Sequence, residues 1–496
     1  MRRMIPLAAL LLGAALASPA KVDMAAAILP PPAAPGKAVA PFVKVAAAKI
    51  ALAHVRIVDG TGAPAQDDRL LLIDGGTIAG IGAGGGPVPA GYRVIDATGE
   101  TVLPGIVGMH DHQYYIALPN LGPGGGDPPL MVPQMTFSSP RLYLAAGVTT
   151  LRTTGSVEPY TDLNMKRMID TGALPGPHMD VTGPYLEGSG SPFIQMHPLK
   201  DAAEARAMVD YWADRGVTSF KAYMNITRDE LKAAIDAAHA RGLKITGHLC
   251  AVTYPEAAML GIDDLEHGFE VNTQLDPGKK ADSCSDSTGD ATLEAMDADG
   301  AEAKALIKLL VDRHVAVTST LPVFEPDSPD YRMLPQHQLD MLSAAARNDY
   351  LMLFARAATR SPARKAAGAK RWSNELRLER AFVAAGGLLL AGPDPTGAGN
   401  VLPGFGDQRA IELLVDAGFS PIEAIRIGTF NGATYLGLAD RIGSIVPGKH
   451  ADLLLVRGDP SRRIADIEQV DTVFKDGVGY DSAALLASVR GRYGQY

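Results

Sequence analysis

Between residues 148 and 392, short apolar runs keep returning between longer stretches with helical periodicity. The runs fall at 148–152, 217–223, 244–248, 263–267, 316–320 and 388–392. Consecutive parallel strands need a crossover about as long as a helix, so this alternation is the pattern of repeated βα units. The clearest helix lies over 228–241, where Leu231, Ile235 and Ala238 share a face and Gly242 supplies a stop. No short-period repeat of the solenoid kind interrupts the pattern. The expected class is α/β, and the expected fold a (β/α)8 TIM barrel.

Strand-like segments also flank this region. Residues 49–58 alternate and run into a turn at Asp59 and Gly60, while 69–74 are followed by Gly75 and Gly76. Far downstream, 443–448 lead into 451–457 and a turn at Gly458, Asp459 and Pro460. The two flanks, 47–103 and 437–496, are expected to combine into one small β-sandwich domain, with the barrel at 104–436. A chain of 496 residues exceeds one ordinary core, and 47% hydrophobic against 20% charged residues supplies enough apolar material for both units. The net charge of −9, without a concentrated basic patch, argues against a nucleic-acid partner and for a small substrate. The composition is compatible with a homo-oligomer.

Arg2 and Arg3 precede an apolar run from Ile5 to Ala17, with small residues through Ala20. That run is too short to span a bilayer, so residues 1–20 read as a cleaved export signal rather than a stable membrane anchor. The expected location is periplasmic or extracellular. Residues 21–46, rich in Ala and Pro, read as a flexible leader. Cys250 and Cys284 cannot build a disulfide framework. Either they form a single bridge in an oxidising compartment, or Cys250 packs beside a metal ligand two residues away.

The chemistry-bearing residues cluster at strand ends. An apolar strand over 104–109 finishes in His110, Asp111 and His112. Side chains at i and i+2 share a strand face, so both imidazoles can reach one metal from a rigid support. His248 and His267 end two further strands, at the C-terminal side where barrel active sites sit. Asp394 follows the last run and offers a hard anionic oxygen. Lys221 lies near the end of a strand directed into the barrel, where a buried ammonium would repel divalent cations. Carboxylation of its amine by carbon dioxide would turn that cation into an anion with two oxygens, able to bridge two metals.

The ordered set His110, His112, Lys221, His248, His267 and Asp394 resembles the amidohydrolase superfamily. It is similar to binuclear members of the imidazolonepropionase-like and prolidase-like (Xaa-Pro dipeptidase) kinds. The resemblance extends to Thr246-Gly247-His248, to Leu265-Glu266-His267-Gly268, and to the segments Gly443-Ser444-Ile445 and Gly448-Lys449-His450-Ala451-Asp452-Leu453. It implies two divalent metals, zinc by default. His110, His112 and Asp394 would hold one, His248 and His267 the other, and carboxylated Lys221 would bridge them. It further implies a hydroxide between the metals as nucleophile, with Asp394 as the catalytic group that moves its proton to the leaving nitrogen.

Tyr223, two residues beyond Lys221, either reaches the pocket to bind a substrate carbonyl or fills the core. Tyr114, Tyr115 and His197 are substrate-binding candidates from loops. His54, His178, His239, His314, His337 and His450 have no ligand partner at a suitable spacing and read as surface or packing residues. The charges over 340–380 read as solvated helical faces. The function expected is hydrolysis of an amide bond in a dipeptide or N-acyl compound. The competing readings are lactam or imidazolone ring opening, a lactonase, and a non-catalytic metal- or solute-binding protein.

Overall fold

Eight short parallel strands position the candidate site: β1 (Ile106–Asp111), β2 (Val148–Thr153), β3 (His178–Asp180), β4 (Ser219–Ala222), β5 (Lys244–Gly247), β6 (Asp264–Glu266), β7 (Ala316–Ser319) and β8 (Leu389–Ala391). The computed structural model describes residues 20–46, 48–116, 121–122, 125–126, 132–191, 193–396 and 400–495. The expected strands are present with slightly tighter limits, except that β2 runs on to Thr153. β3 is an addition, because its three residues are too short to raise a periodic signal.

Ladders join β3, β2 and β1 in one run and β4 through β8 in another. Single parallel bridges, Thr182 with Ser219 and Leu186 with Ala222, connect the segment after β3 to β4. At the other end the Asp394 N–H donates to the His110 carbonyl at 3.0 Å. Gly392 is required there, since a Cβ at that position would lie 2.2 Å from the His110 nitrogen. Helices follow the strands, among them Pro159–Asp170, Ala202–Ala213 and Arg228–Ala240. The last opens with a capping box in which Thr227 and Glu230 satisfy each other's backbone N–H groups. Leu151, Phe220, Ile245, Leu265, Val317 and Leu389 are fully buried in the main core between strands and helices. Among the described residues no helix is long and apolar enough to cross a membrane.

The flanks do combine, through antiparallel pairing of Leu453–Arg457 with Glu100–Pro104. Nine strands form one mixed sheet where a sandwich was expected. It branches at Lys49–Ile57, whose first half pairs with Arg93–Asp96 and whose last residues pair with Glu100–Pro104. Ile50, Leu52, Leu71, Leu453 and Phe474 form its separate core.

The segment read as a flexible leader behaves differently where it is described. Met24–Ile28 is helical, Ile28 and Leu29 are buried, and the Val22 N–H donates to the Arg241 carbonyl at 3.0 Å. Val43–Val45 adds an edge strand against Val478–Asp481. Alanine and proline dominate the composition, but the few large apolar residues among them find partners and set the path. The segment 1–20, read as an export signal, lies outside the described residues except for Ala20. Cys250 and Cys284 are disulfide-bonded, which resolves the two readings of that pair.

Candidate active site

β1 alternates as its sequence requires. His110 and His112 face one way, whereas Asp111 between them faces Asp407, and burial with that second acid pushes the Asp111 carboxyl well up. Both imidazoles are fully buried. The His112 Nε2 lies 3.0 Å from Asp394 Oδ1, and the His110 Nε2 lies 3.6 Å from the same oxygen. Lys221 Nζ is 3.2 Å from His110 Nε2. The His267 ring packs 4.6 Å from His110 and 4.4 Å from His248, centroid to centroid. Four strand ends and the segment after β8 thus bring six side chains together.

His267 and Asp394 both occupy the left-handed region, with φ of 68° and 53°. Residues other than glycine hold that conformation at a cost of about 1 kcal/mol or more, and it aims both side chains back over the strand ends. The cavity they face has a volume of about 90 Å³ and is also lined by Tyr114, Tyr185, Tyr223 and Thr396. Tyr114 and Tyr185 share a hydroxyl–hydroxyl hydrogen bond of 2.6 Å.

Burial dominates the electrostatics. It lowers the His112 imidazole to about 4 and the His248 imidazole to about 3, so both are neutral donors at ordinary pH. Burial also lowers the Lys221 amine to about 8, giving it a neutral fraction that an exposed lysine lacks. Burial disfavours the Asp394 carboxylate, but His110, His112 and Lys221 around it hold it well below the usual carboxylate range.

These residues fit a divalent metal. The ligating atoms of His110, His112 and Asp394 lie within 4.8 Å of one another. His267 Nε2 and His112 Nδ1 are buried without a hydrogen-bond partner, a costly state for polar atoms unless something binds them.

The other candidates separate. Tyr223 and Tyr114 line the cavity. Tyr115 is buried beside Tyr493 and donates to Asp349 at 3.2 Å, outside the lining. His197 is exposed and pairs with Glu204 at 3.0 Å. The Gly- and Pro-rich loop at 121–129 falls largely outside the described residues.

A buried network behind the ligands was not anticipated. Glu266 Oε2 accepts from His110 Nδ1 at 2.7 Å. Its Oε1 accepts from Arg152 at 2.9 Å, and the same guanidinium donates to Asp264 at 2.8 Å. A carboxylate on the far nitrogen of an imidazole fixes its tautomer and leaves Nε2 free toward the cavity. The sequence carried a usable signal: Asp264 and Glu266 sit at i and i+2 on a buried strand, and Arg152 ends another.

Strand ends that present four imidazoles, an amine and a carboxylate to one cavity define a metal-binding enzyme site. The model of the Amidohydrolase family matches residues 101–479, and the chain belongs to that family, whose members are hydrolases that typically bind divalent metals.

Among solved structures, a putative prolidase from Bifidobacterium longum is 23% identical, with a TM-score of 0.63 over 90% of this chain and 100% of that one. A Xaa-Pro dipeptidase with bound methionine is 20% identical, with a TM-score of 0.64 over 87% of this chain and 100% of that one. A bottromycin amidohydrolase is 19% identical, with a TM-score of 0.66 over 92% and 94% of the two chains. At these identities the likeness is one of fold. Local sequence similarity reaches adenine deaminases. That of Ruegeria sp. (strain TM1040) is 47% identical over 48 residues, which is 10% of this chain and 8% of that protein. That of Ligilactobacillus salivarius (strain UCC118) is 40% identical over 67 residues, 14% of this chain and 11% of that protein.

Proposed function

We propose that the chain closes as a (β/α)8 barrel and is an exported binuclear amidohydrolase that cleaves the C–N bond of a small peptide or N-acyl compound. The observation carrying this reading is the convergence of His110, His112, Lys221, His248, His267 and Asp394 on one buried cavity. In the proposed assignment His110, His112 and Asp394 would hold one metal and His248 and His267 the other, and Lys221, as a carbamate, would serve both. When bound, the metals, zinc by default, would supply Lewis acidity and a water acidic enough to ionise near neutrality.

The chain's own residues do the rest. Lys221, with its lowered pKa, can react as the neutral amine with carbon dioxide. Asp394, held ionised, takes the proton from the attacking water and delivers it to the leaving nitrogen. Tyr223, on the cavity wall, donates to the substrate carbonyl oxygen.

Substrate class is supported by an adjoining cavity. A space of about 410 Å³ shares Asp394 and Thr396 with the site and is lined by Tyr331, Arg356, Arg360 and Arg364. Arg360 already pairs with Asp327 at 2.6 Å, and the guanidinium groups of Arg356 and Arg364 suit a free carboxylate, as a peptide or N-acyl amino acid carries, better than a neutral lactam or lactone. The disulfide supports export, because oxidising compartments retain such bonds.

The deciding experiment compares metal content of wild type and Lys221→Ala after reconstitution with zinc and bicarbonate. A loss of about two ions per chain in the variant is expected for a bridged pair; equal content would sink the binuclear reading. Turnover of the metal-loaded wild type on dipeptides, N-acyl amino acids, lactams, lactones and aminopurines then separates the activities, and no turnover on any of them would favour a binding protein.

A further inference from the structure

The opposite end of the parallel strands carries a second cluster. His178 opens β3 at its N-terminal end, Asp452 directly precedes Leu453–Arg457, and Asp476 sits in the turn between Val470–Lys475 and Val478–Asp481. His178 is 1% and Asp452 4% exposed. His178 Nε2 lies 3.3 Å from Asp476 Oδ1 and 3.7 Å from Asp452 Oδ2. Both nitrogens of His178, with Asp452 Oδ2 and Asp476 Oδ1, are buried and lack a hydrogen-bond partner.

The second oxygen of each carboxylate is already committed. Asp452 Oδ1 accepts the Asp476 backbone N–H at 2.7 Å, and Asp476 Oδ2 accepts from Lys475 Nζ at 3.1 Å. Each acid is therefore fixed in orientation and presents its other oxygen to the same imidazole nitrogen, with His450 Nδ1 a further 3.6 Å from the Asp476 oxygen. Buried polar atoms without a well-formed hydrogen bond are costly, and three of them converge on one point. Their spacing suggests an occupant. Ligands about 2.1 Å from a tetrahedral ion stand roughly 3.4 Å apart, near the distances observed here and longer than a good hydrogen bond.

We propose that His178, Asp452 and Asp476 form a second divalent-cation site that pins the sheet unit to the base of the parallel-strand unit. One imidazole nitrogen and two carboxylate oxygens, all within 4.8 Å of one another, make a donor set for a zinc-class ion. Lys475 offsets one of the two negative charges, which weakens the site for a hard cation held by charge alone and leaves the imidazole to select. A cavity of about 20 Å³ beside His178 and Asp476 has room for a water to complete the coordination shell. The competing occupant is a proton shared among His178 and the two acids, and it predicts no metal.

A chain carrying His110→Ala, His112→Ala and Lys221→Ala removes three of the six candidate catalytic ligands, the bridging lysine among them, and leaves this cluster intact. After loading with zinc and removal of loosely held metal, it should retain about one ion per chain. Its melting temperature should then fall on chelation. Adding His178→Gln should abolish both effects, and cobalt(II) in place of zinc should give the visible bands of a tetrahedral site only while His178 is present. If the triple variant folds but holds no ion, the proton is the occupant and the proposal fails. An ion retained equally with and without His178 also overturns it. In the otherwise wild-type chain, His178→Gln should lower metal content by one ion and leave turnover unchanged, which separates this site from the functional reading above.

Discussion

At His112 and His248, burial sets the pH behaviour of the metal-free protein. The unfolded chain takes up protons on these rings below about pH 6.5. The folded chain resists until about 4 at His112 and about 3 at His248. Because the unfolded state binds more protons in this window, stability must fall as pH drops from 6.5 toward 4. The denaturation midpoint of metal-free protein should decline across that range, and His112→Gln should flatten the decline. A midpoint independent of pH would mean that the rings charge without unfolding. Glu266 acts one layer further out, through His110. Glu266→Gln keeps the shape and removes the charge, so zinc affinity measured by chelator competition should weaken about 10- to 100-fold. An unchanged affinity would remove Glu266 from the positioning role and leave it as a partner of Arg152 alone.

Among the elements, the segment after β5 carries both a site residue and the disulfide. Cys250 is two residues beyond His248, and its bond to Cys284 closes a separation of 34 residues. A loop of that length should lose about 3–4 kcal/mol when Cys250→Ser and Cys284→Ser are introduced together. Chemical denaturation with and without reductant measures this directly: the variant pair should match the reduced wild type. Equality of the oxidised and reduced wild type would show that the bridge adds nothing to stability.

For the whole molecule, the coupling of the two units rests on residues such as Leu454. Its strand belongs to the sheet unit, yet its side chain is fully buried in the core of the parallel-strand unit. A Cβ at Gly147 would lie 2.6 Å from it, which shows how closely the two units approach. Leu454→Ala should cost about 2–5 kcal/mol. Both units should still unfold in one transition; two separate transitions would show that they are independently stable.

Local pattern determined much of this protein. Alternation of apolar runs with helical stretches located six of the eight parallel strands, because a period of two or 3.6 residues is written in neighbouring positions. The same locality made His110 and His112 legible, since two residues apart on a strand means one face. His248, His267 and Asp394 were legible as strand-end positions. What the sequence did not carry was the pairing of most buried polar residues distant in the chain. The buried link from Arg152 to Asp264 and Glu266 spans more than 100 positions, and a guanidinium reveals its partners only when strands meet. Tyr115 and His197 had the right chemistry and neighbourhood in the chain, but tertiary packing turned one toward Asp349 and left the other on the surface. His178, read as a packing residue, meets its acids only because the sheet unit, built from both ends of the chain, folds back under β3. Short-range order is set by backbone periodicity, while the polar clusters are set by which buried groups the whole fold brings within reach of one another.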